Sequence, residues 1–355
     1  MKSHKTLFPM AGLLLLAPSI AAADAVEEFY KGNTITVISG YGAGSTYTLY
    51  ARAVSNHIGR HLPGNPTVIV KSVTGGGGMR AAAFLFEAAP KDGSHIGAMG
   101  RGVATEPVVF GKRSRTKFDP RKFNWLGSLN SEVSIGAVWH TTGIKTLADA
   151  KTKSIFVATG GQAADSSTFT LLCNGIFGTK FKLVSGYRGG DSQNLALEQG
   201  EVQGRIGWSW SSVVSAKSDW VKDGKINLLV QFALQKHPDL PHVPLATELT
   251  SDPDEKKILE VALIRQGMGR PYAAPPETPK ARVDALRRAF EQLLTDQAFL
   301  AEARKLRLEI HAPKTGLQVE AMLNSAFDLP QSLKDRVAAA VDPKNAEIRT
   351  LKKKK

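Results

Sequence analysis

The 355-residue chain has a single cysteine, Cys173, and so no internal disulfide. That cysteine sits in the apolar run Phe169-Thr-Leu-Leu-Cys173, where a thiol reads as buried and inert rather than as a nucleophile. Long apolar runs are equally scarce. The conspicuous one covers residues 7–17, with four leucines at 13–16. It is shorter than the roughly 20 residues a membrane-spanning helix takes. Acidic residues are outnumbered, 32 against 46 lysines and arginines, for a formal net charge of +14. A basic balance raises the question of nucleic acid, but the absence of an aromatic-interleaved basic motif argues against it. An anionic small ligand, or solubility, accounts for the charge as well. There is no internal repeat and no low-complexity linker.

The N-terminus orders basic, apolar and small residues. Lys2, His4 and Lys5 come first, then the apolar run, then Pro18, Ser19 and Ala21-Ala22-Ala23. That layout predicts a secretory signal peptide over residues 1–23, cleaved after Ala23 or Ala25, and hence a periplasmic protein. No cysteine lies near either site, which argues against a lipid anchor.

Beyond residue 33, β-rich runs alternate with helical patterns. Strands are expected over residues 34–38, 67–70, 95–99, 155–158, 181–184, 202–206 and 226–230. Helices are expected over 49–61, 79–89, 166–176 and 192–199, and three more over 279–294, 297–306 and 316–327. The alternation predicts α/β layers with largely parallel sheets. Two such blocks predict two lobes. The expected division is residues 24–130 for the first part of domain 1, 131–267 for domain 2, and 268–345 for a helical return to domain 1. Residues 346–355, ending in Lys352–Lys355, read as a basic tail.

Four loops share one design, each following a strand, opening a helix and rich in Gly, Ser or Thr. Gly40-Tyr-Gly-Ala-Gly-Ser-Thr-Tyr-Thr48 supplies the candidates Tyr41, Gly42, Ala43, Gly44, Ser45, Thr46 and Thr48. Thr74-Gly-Gly-Gly-Gly78 supplies Thr74, Gly75, Gly76 and Gly77. Thr159-Gly-Gly-Gln-Ala-Ala-Asp-Ser-Ser167 supplies Thr159, Gly160, Gly161, Gln162, Asp165 and Ser166. Gly186-Tyr-Arg-Gly-Gly-Asp191 supplies Tyr187, Arg188, Gly189 and Asp191, the last also a natural helix cap. Glycine lets backbone amides approach a ligand, and a helix start offers free N–H groups with partial positive charge. Together they make an anion site at the carboxyl ends of the strands. Each loop alone is also an ordinary turn before a helix.

Enzyme motifs fit poorly. Gly40-x-Gly42-x-Gly44 lacks the third glycine at the spacing of a dinucleotide loop, and Gly75–Gly78 lacks the Lys-Ser/Thr of a P-loop. His57 and His61 stand one helical turn apart, without the glutamate of a zinc protease between them. Ser209, in Gly207-Trp-Ser-Trp-Ser211, is no nucleophile elbow, while Trp208 and Trp210 either line a cleft or pack. No catalytic residue, metal or cofactor is assigned.

Several segments carry a family resemblance. They include Phe29-Tyr-Lys-Gly-Asn-Thr-Ile-Thr36, Tyr50-Ala-Arg52, Leu62-Pro-Gly-Asn-Pro66, Gly75–Gly78 and Ala89-Pro-Lys-Asp-Gly93. Gly186-Tyr-Arg-Gly189, Leu195-Ala-Leu-Glu-Gln-Gly-Glu201, Gly269-Arg-Pro-Tyr272 and Pro275-Pro276 follow. In this order the chain resembles the substrate-binding receptors of tripartite tricarboxylate transporters, the Bug proteins, from about Phe29 to about Gly316. The resemblance implies a type II, Venus-flytrap fold of two α/β domains joined by two crossover segments. It implies a ligand held by the four loops and presented to membrane permease subunits as partners. The amide-rich loops on a basic chain point to a small organic anion of the carboxylate class, and the chain reads as a monomer that is not an enzyme. A sensor subunit and an exported α/β hydrolase are the competing readings. The departures are Ala43-Gly-Ser45 for Pro-Gly-Gly, Thr48 for an aspartate, Ser72-Val-Thr-Gly75 for Asn-x-Pro-Gly, and Gly160–Ala164 for Gly-x-Gly-Ser. Losing that acidic side chain removes one means of choosing an amine-bearing ligand.

Overall fold

The computed structural model describes residues 17–351, with side chains from residue 24. Most of the expected signal peptide and the lysines 352–355 lie outside these residues. Both expected cleavage points fall within the helix Ala17–Tyr30, whose Val26 and Tyr30 are buried. Among the described residues, no helix is long and apolar enough to cross a membrane.

Two six-stranded sheets organise the chain. The strands are β1 (Thr34–Ser39), β2 (Thr67–Ser72), β3 (His95–Ala98), β4 (Asn124–Ser128), β5 (Ser134–Trp139) and β6 (Ile155–Thr159). They continue as β7 (Phe181–Ser185), β8 (Gly204–Ser209), β9 (Ile226–Phe232), β10 (Pro271–Ala274), β11 (Lys314–Thr315) and β12 (Ile348–Thr350). The first sheet runs β11-β4-β10-β3-β1-β2 and the second β12-β7-β6-β8-β5-β9. A common core order emerges: second, first and third strand of the lobe, then a strand arriving from the other lobe, then the fourth.

That arriving strand corrects the expectation of largely parallel sheets. β1, β2 and β3 pair in parallel, as do β6 with β7 and β8. β10, returning from the second lobe, is antiparallel to β3 and β4. β5, entering from the first, is antiparallel to β8 and β9. A strand that enters a sheet from its far end must run against its neighbours. β1 is interior and buried from its second residue onward, as its unbroken Ile-Thr-Val-Ile run requires. β2 is the edge, largely exposed, and carries Lys71.

The two passages between lobes lie together. Leu129 N donates to Arg270 O at 3.2 Å, Gly269 N to Asn130 O at 2.8 Å and Glu132 N to Gln266 O at 2.7 Å. The C-terminus makes a third passage. The helix Gly316–Phe327 packs Val319 and Leu323 into the first lobe. The helix Gln331–Ala340 instead puts Leu333 and Val337 into the core around Phe169, Phe177 and Leu259. β12 then pairs in parallel with β7, Ile348 opposite Leu183. The reading of 268–345 as a return to domain 1 with a basic tail beyond is corrected here. The alternating side chains of Ile-Arg-Thr find a free parallel edge on β7, which gives residues 348–350 a ladder to join.

Candidate functional site

The parallel strands of both lobes end at one cavity of about 260 Å³. Six connections meet there: those after β1, β2 and β3 from one lobe and after β6, β7 and β8 from the other. Helices begin at this cavity. Thr46 opens the helix Thr46–Ile58, Asp165 opens Asp165–Phe177 and Gly190 opens Gly190–Glu198. Among the described residues, the amides of Thr46, Tyr47, Asp165, Ser166 and Gly190 have no acceptor. Neither do those of Gly76, Gly77 and Gly161. First-turn amides are unpaired by the geometry of a helix, and their dipoles favour negative charge.

Of the sequence candidates, Tyr41, Ser45, Thr46, Gly75, Gly76, Gly77, Gly160, Gly161, Asp165, Ser166, Tyr187, Arg188 and Gly189 line the cavity. The others lie off it. Gly42 bridges the lobes, its N donating to Arg188 O at 3.3 Å. Ala43 is exposed and Thr74 half-buried. Gly44 abuts Asp191, whose Oδ2 lies 2.9 Å from where a Cβ would stand. Thr48 is buried, 2.8 Å from Ser39 Oγ and donating to Tyr41 O at 3.2 Å. Thr159 donates to Val184 O at 3.2 Å. Gln162 donates to Glu106 Oε1 at 2.7 Å and Arg113 O at 2.9 Å, fastening its loop to the opposite lobe. Asp191 is in the first turn after Gly189, which holds the cap position, and is exposed. It lines a neighbouring hollow with Gly44, Asn194 and Lys217.

The glycines set how closely the lobes approach. A Cβ on Gly161 would lie 2.1 Å from the carbonyl carbon of Gly76, and one on Gly77 2.6 Å from Ala164 N. A Cβ on Gly102 would lie 1.8 Å from Ala163 O. Backbone therefore meets backbone across the cleft, and the cleft is closed.

Tyr47, Arg101, Arg205, Trp208 and Ser209 also line the cavity and escaped the sequence reading as site residues. Arg101 reaches from the first lobe into the second. Its Nε donates to Asp165 Oδ2 at 2.7 Å, and its Nη2 donates to Ser134 Oγ at 2.9 Å and Ser209 Oγ at 3.0 Å. Nη1 donates to Tyr47 Oη at 3.0 Å. Arg265 Nη1 approaches the other Asp165 oxygen at 3.3 Å, and Gln266 Nε2 donates to Oδ2 at 3.1 Å. Burial by itself raises the Asp165 carboxyl, but Arg101 and Arg265 outweigh it and hold the group below the usual carboxylate range. Trp208 faces the cavity, whereas Trp210 packs in the core with Val213 and Trp220. Tyr41 and Tyr47 stack with ring centres 4.4 Å apart.

The groups flagged for chemistry do other work. Cys173 is fully buried and its thiol is pushed up by burial. His57 pairs with Glu302, and His61 Nε2 with Asp296 Oδ2 at 2.7 Å, so both clamp one helix to another. Among the described residues, no three His, Cys, Asp or Glu side chains gather as metal ligands would.

No protein-family model and no curated protein matches the sequence. Solved structures do. The periplasmic binding protein BugD is 18% identical with a TM-score of 0.69, over 90% of this chain and 100% of that one. MatC from Rhodopseudomonas palustris with bound malate is 19% identical with a TM-score of 0.67, over 87% and 99%. Rpa4515 from R. palustris with adipate is 16% identical with a TM-score of 0.66, over 87% and 97%. The fold is thus that of a periplasmic binding protein, shared with BugD and with the structures of MatC with malate and Rpa4515 with adipate.

Proposed function

We propose that this protein is a periplasmic solute-binding receptor of the tripartite tricarboxylate type. It captures a small organic carboxylate between its lobes and delivers it to membrane permease subunits. It is not an enzyme. The observation that carries the reading is the convergence of unpaired amides from both lobes on one cavity between them. Such amides offer fixed dipoles to an anion and no nucleophile or base to a substrate. Malate and adipate, held by MatC and Rpa4515, suit the volume and set the ligand class to try first. The motifs from Phe29 to Pro276 and the shared fold support the family assignment together.

Isothermal titration against malate, adipate and other carboxylates tests the ligand class, with uncharged and cationic solutes of similar size beside them. Carboxylates should bind and the others should not. Binding confined to uncharged or cationic solutes would sink the anion reading. Delivery is tested by carboxylate uptake into vesicles holding the permease subunits, which should depend on added receptor.

A further inference from the structure

Three guanidinium groups line the cavity, and they differ in what they are free to do. Arg101 is tied to Asp165, Nη2 to Oδ2 at 2.6 Å. Arg188 is exposed at the rim. Arg205, on β8, is 5% exposed and has no carboxylate partner among the described residues. Its Nη1 donates to Gly190 O at 3.3 Å and to the Asn194 side-chain oxygen, and its plane lies 4.1 Å over the Trp208 ring. Its Nε has no partner at all. Asp191 acts on it only through space, from the adjoining hollow. A buried guanidinium held in place by two carbonyl oxygens and a ring, with an unused donor, is costly unless an anion completes it.

The acidic side of the ledger is closed. Asp165 is the one carboxylate among the residues lining the cavity. Arg101, Arg265 and Gln266 occupy its oxygens. Nothing acidic is left on the wall to receive an ammonium group. Thr48, where the family pattern places an aspartate, is buried against Ser39 and away from the cavity.

We infer that Arg205 receives the carboxylate of the ligand, beside the free amides at the start of the helix Gly190–Glu198, and that the site takes organic acids without an amino group. This rests on the receptor reading above and deepens it. Burial pushes Arg205 down to about 9, so it is charged at neutral pH and poorly solvated, the state in which an added carboxylate gains most. Malate and aspartate differ at one substituent, hydroxyl against ammonium, and the site should separate them.

The test is isothermal titration of the full mature chain with malate, adipate, aspartate and adipamide, repeated for Arg205→Gln and Arg205→Lys. Melting of the unliganded variants accompanies it. The parent should bind malate or adipate, bind aspartate at least tenfold more weakly, and ignore adipamide. Arg205→Gln should weaken the carboxylate roughly a hundredfold, the scale of a lost buried charge-assisted pair. Its unliganded melting point should equal or exceed that of the parent, since an unpaired buried charge has been removed. Arg205→Lys keeps the charge but not the fork, and should fall between. Should Arg205→Gln fail to fold, the lysine variant decides. Carboxylate affinity within threefold of the parent in the folded variants overturns the proposal and leaves the receptor reading standing. Aspartate binding equal to malate also overturns it. A parent that binds no carboxylate overturns the receptor's ligand class and this proposal together.

Discussion

Gly161 has no room for a side chain while the cleft is closed. Its backbone is not in the left-handed region, so a larger residue there is unstrained when the lobes are apart. The obstruction is the facing backbone of Gly76 and Gly77, with Gly76 Cα and carbonyl carbon 2.4 and 2.1 Å and Gly77 N 2.5 Å from the would-be Cβ. Gly161→Val should fold normally, with unchanged far-ultraviolet dichroism, and bind adipate at least tenfold more weakly because closure is blocked. Parent-like affinity would mean that ligand is held without this contact. Gly76 is a poorer probe. It has φ +61°, and its Cβ would meet Met79 of its own lobe, so strain and closure would be mixed. The loops that carry these glycines were legible because Gly, Ser and Thr before a helix leave a local mark. Arg101 and Arg205 left none. One arginine in a short strand or helix reads as a solvated face, and the Asp165 that occupies Arg101 is 64 positions away.

At the scale of elements, the same contrast holds. β1, with its Ile-Thr-Val-Ile run, and the helix Thr46–Ile58 announce themselves by composition and period. β4 and β5 do not. Asn-Trp-Leu-Gly-Ser and Ser-Ile-Gly-Ala-Val-Trp mix small, polar and apolar residues, and their pairing with β10, β8 and β9 is non-local. The helix Gln297–Lys305 shows how an element is fixed by chemistry its own pattern only half reveals. Asp296 caps it, accepting from Ala298 N at 2.9 Å, and also receives Arg60 and His61 from the other helix. Burial works to raise the Asp296 carboxyl, but these hydrogen bonds prevail and lower it strongly. A carboxyl lowered in the folded state stabilises above its unfolded value near 3.9 and loses that contribution as pH falls through the folded value. Asp296→Asn keeps a capping side chain but loses the charge, so it should cost about 1 kcal/mol at pH 7. Urea unfolding should show that difference closing below about pH 4. A constant difference across pH would assign the loss to packing instead.

For the molecule as a whole, the third passage between lobes matters most to the cavity. Two passages form the hydrogen-bonded hinge around residues 129–133 and 266–270. The third leads the C-terminus to β12, which is laid along β7, the strand that ends in the loop of Tyr187 and Arg188. Leu183 N donates to Glu347 O and Leu351 N to Ser185 O, each at 2.8 Å. Leu351 then lies against Gly186, where a Cβ would be 3.3 Å from its own. Arg349 stacks 4.2 Å from the Phe156 ring, and Lys182 pairs with Glu347 at 2.9 Å. Nothing local to Ile-Arg-Thr predicts this, because an exposed three-residue strand owes its existence to a partner 165 positions earlier. The arrangement separates two truncations that look alike on paper. A chain ending at Leu351 loses four lysines but keeps every contact just named, so its melting point and its adipate affinity should match the parent. A chain ending at Asn345 bares the edge of β7 and frees the start of the Tyr187 loop. It should melt several degrees lower and bind adipate at least threefold more weakly, the loss arising from a loop that must now be ordered by the ligand itself. Equal affinity in the two truncations would show that the loop holds its shape without β12. A loss in the Leu351-ended chain would place the effect in the lysines, and dependence on salt would then identify it as charge.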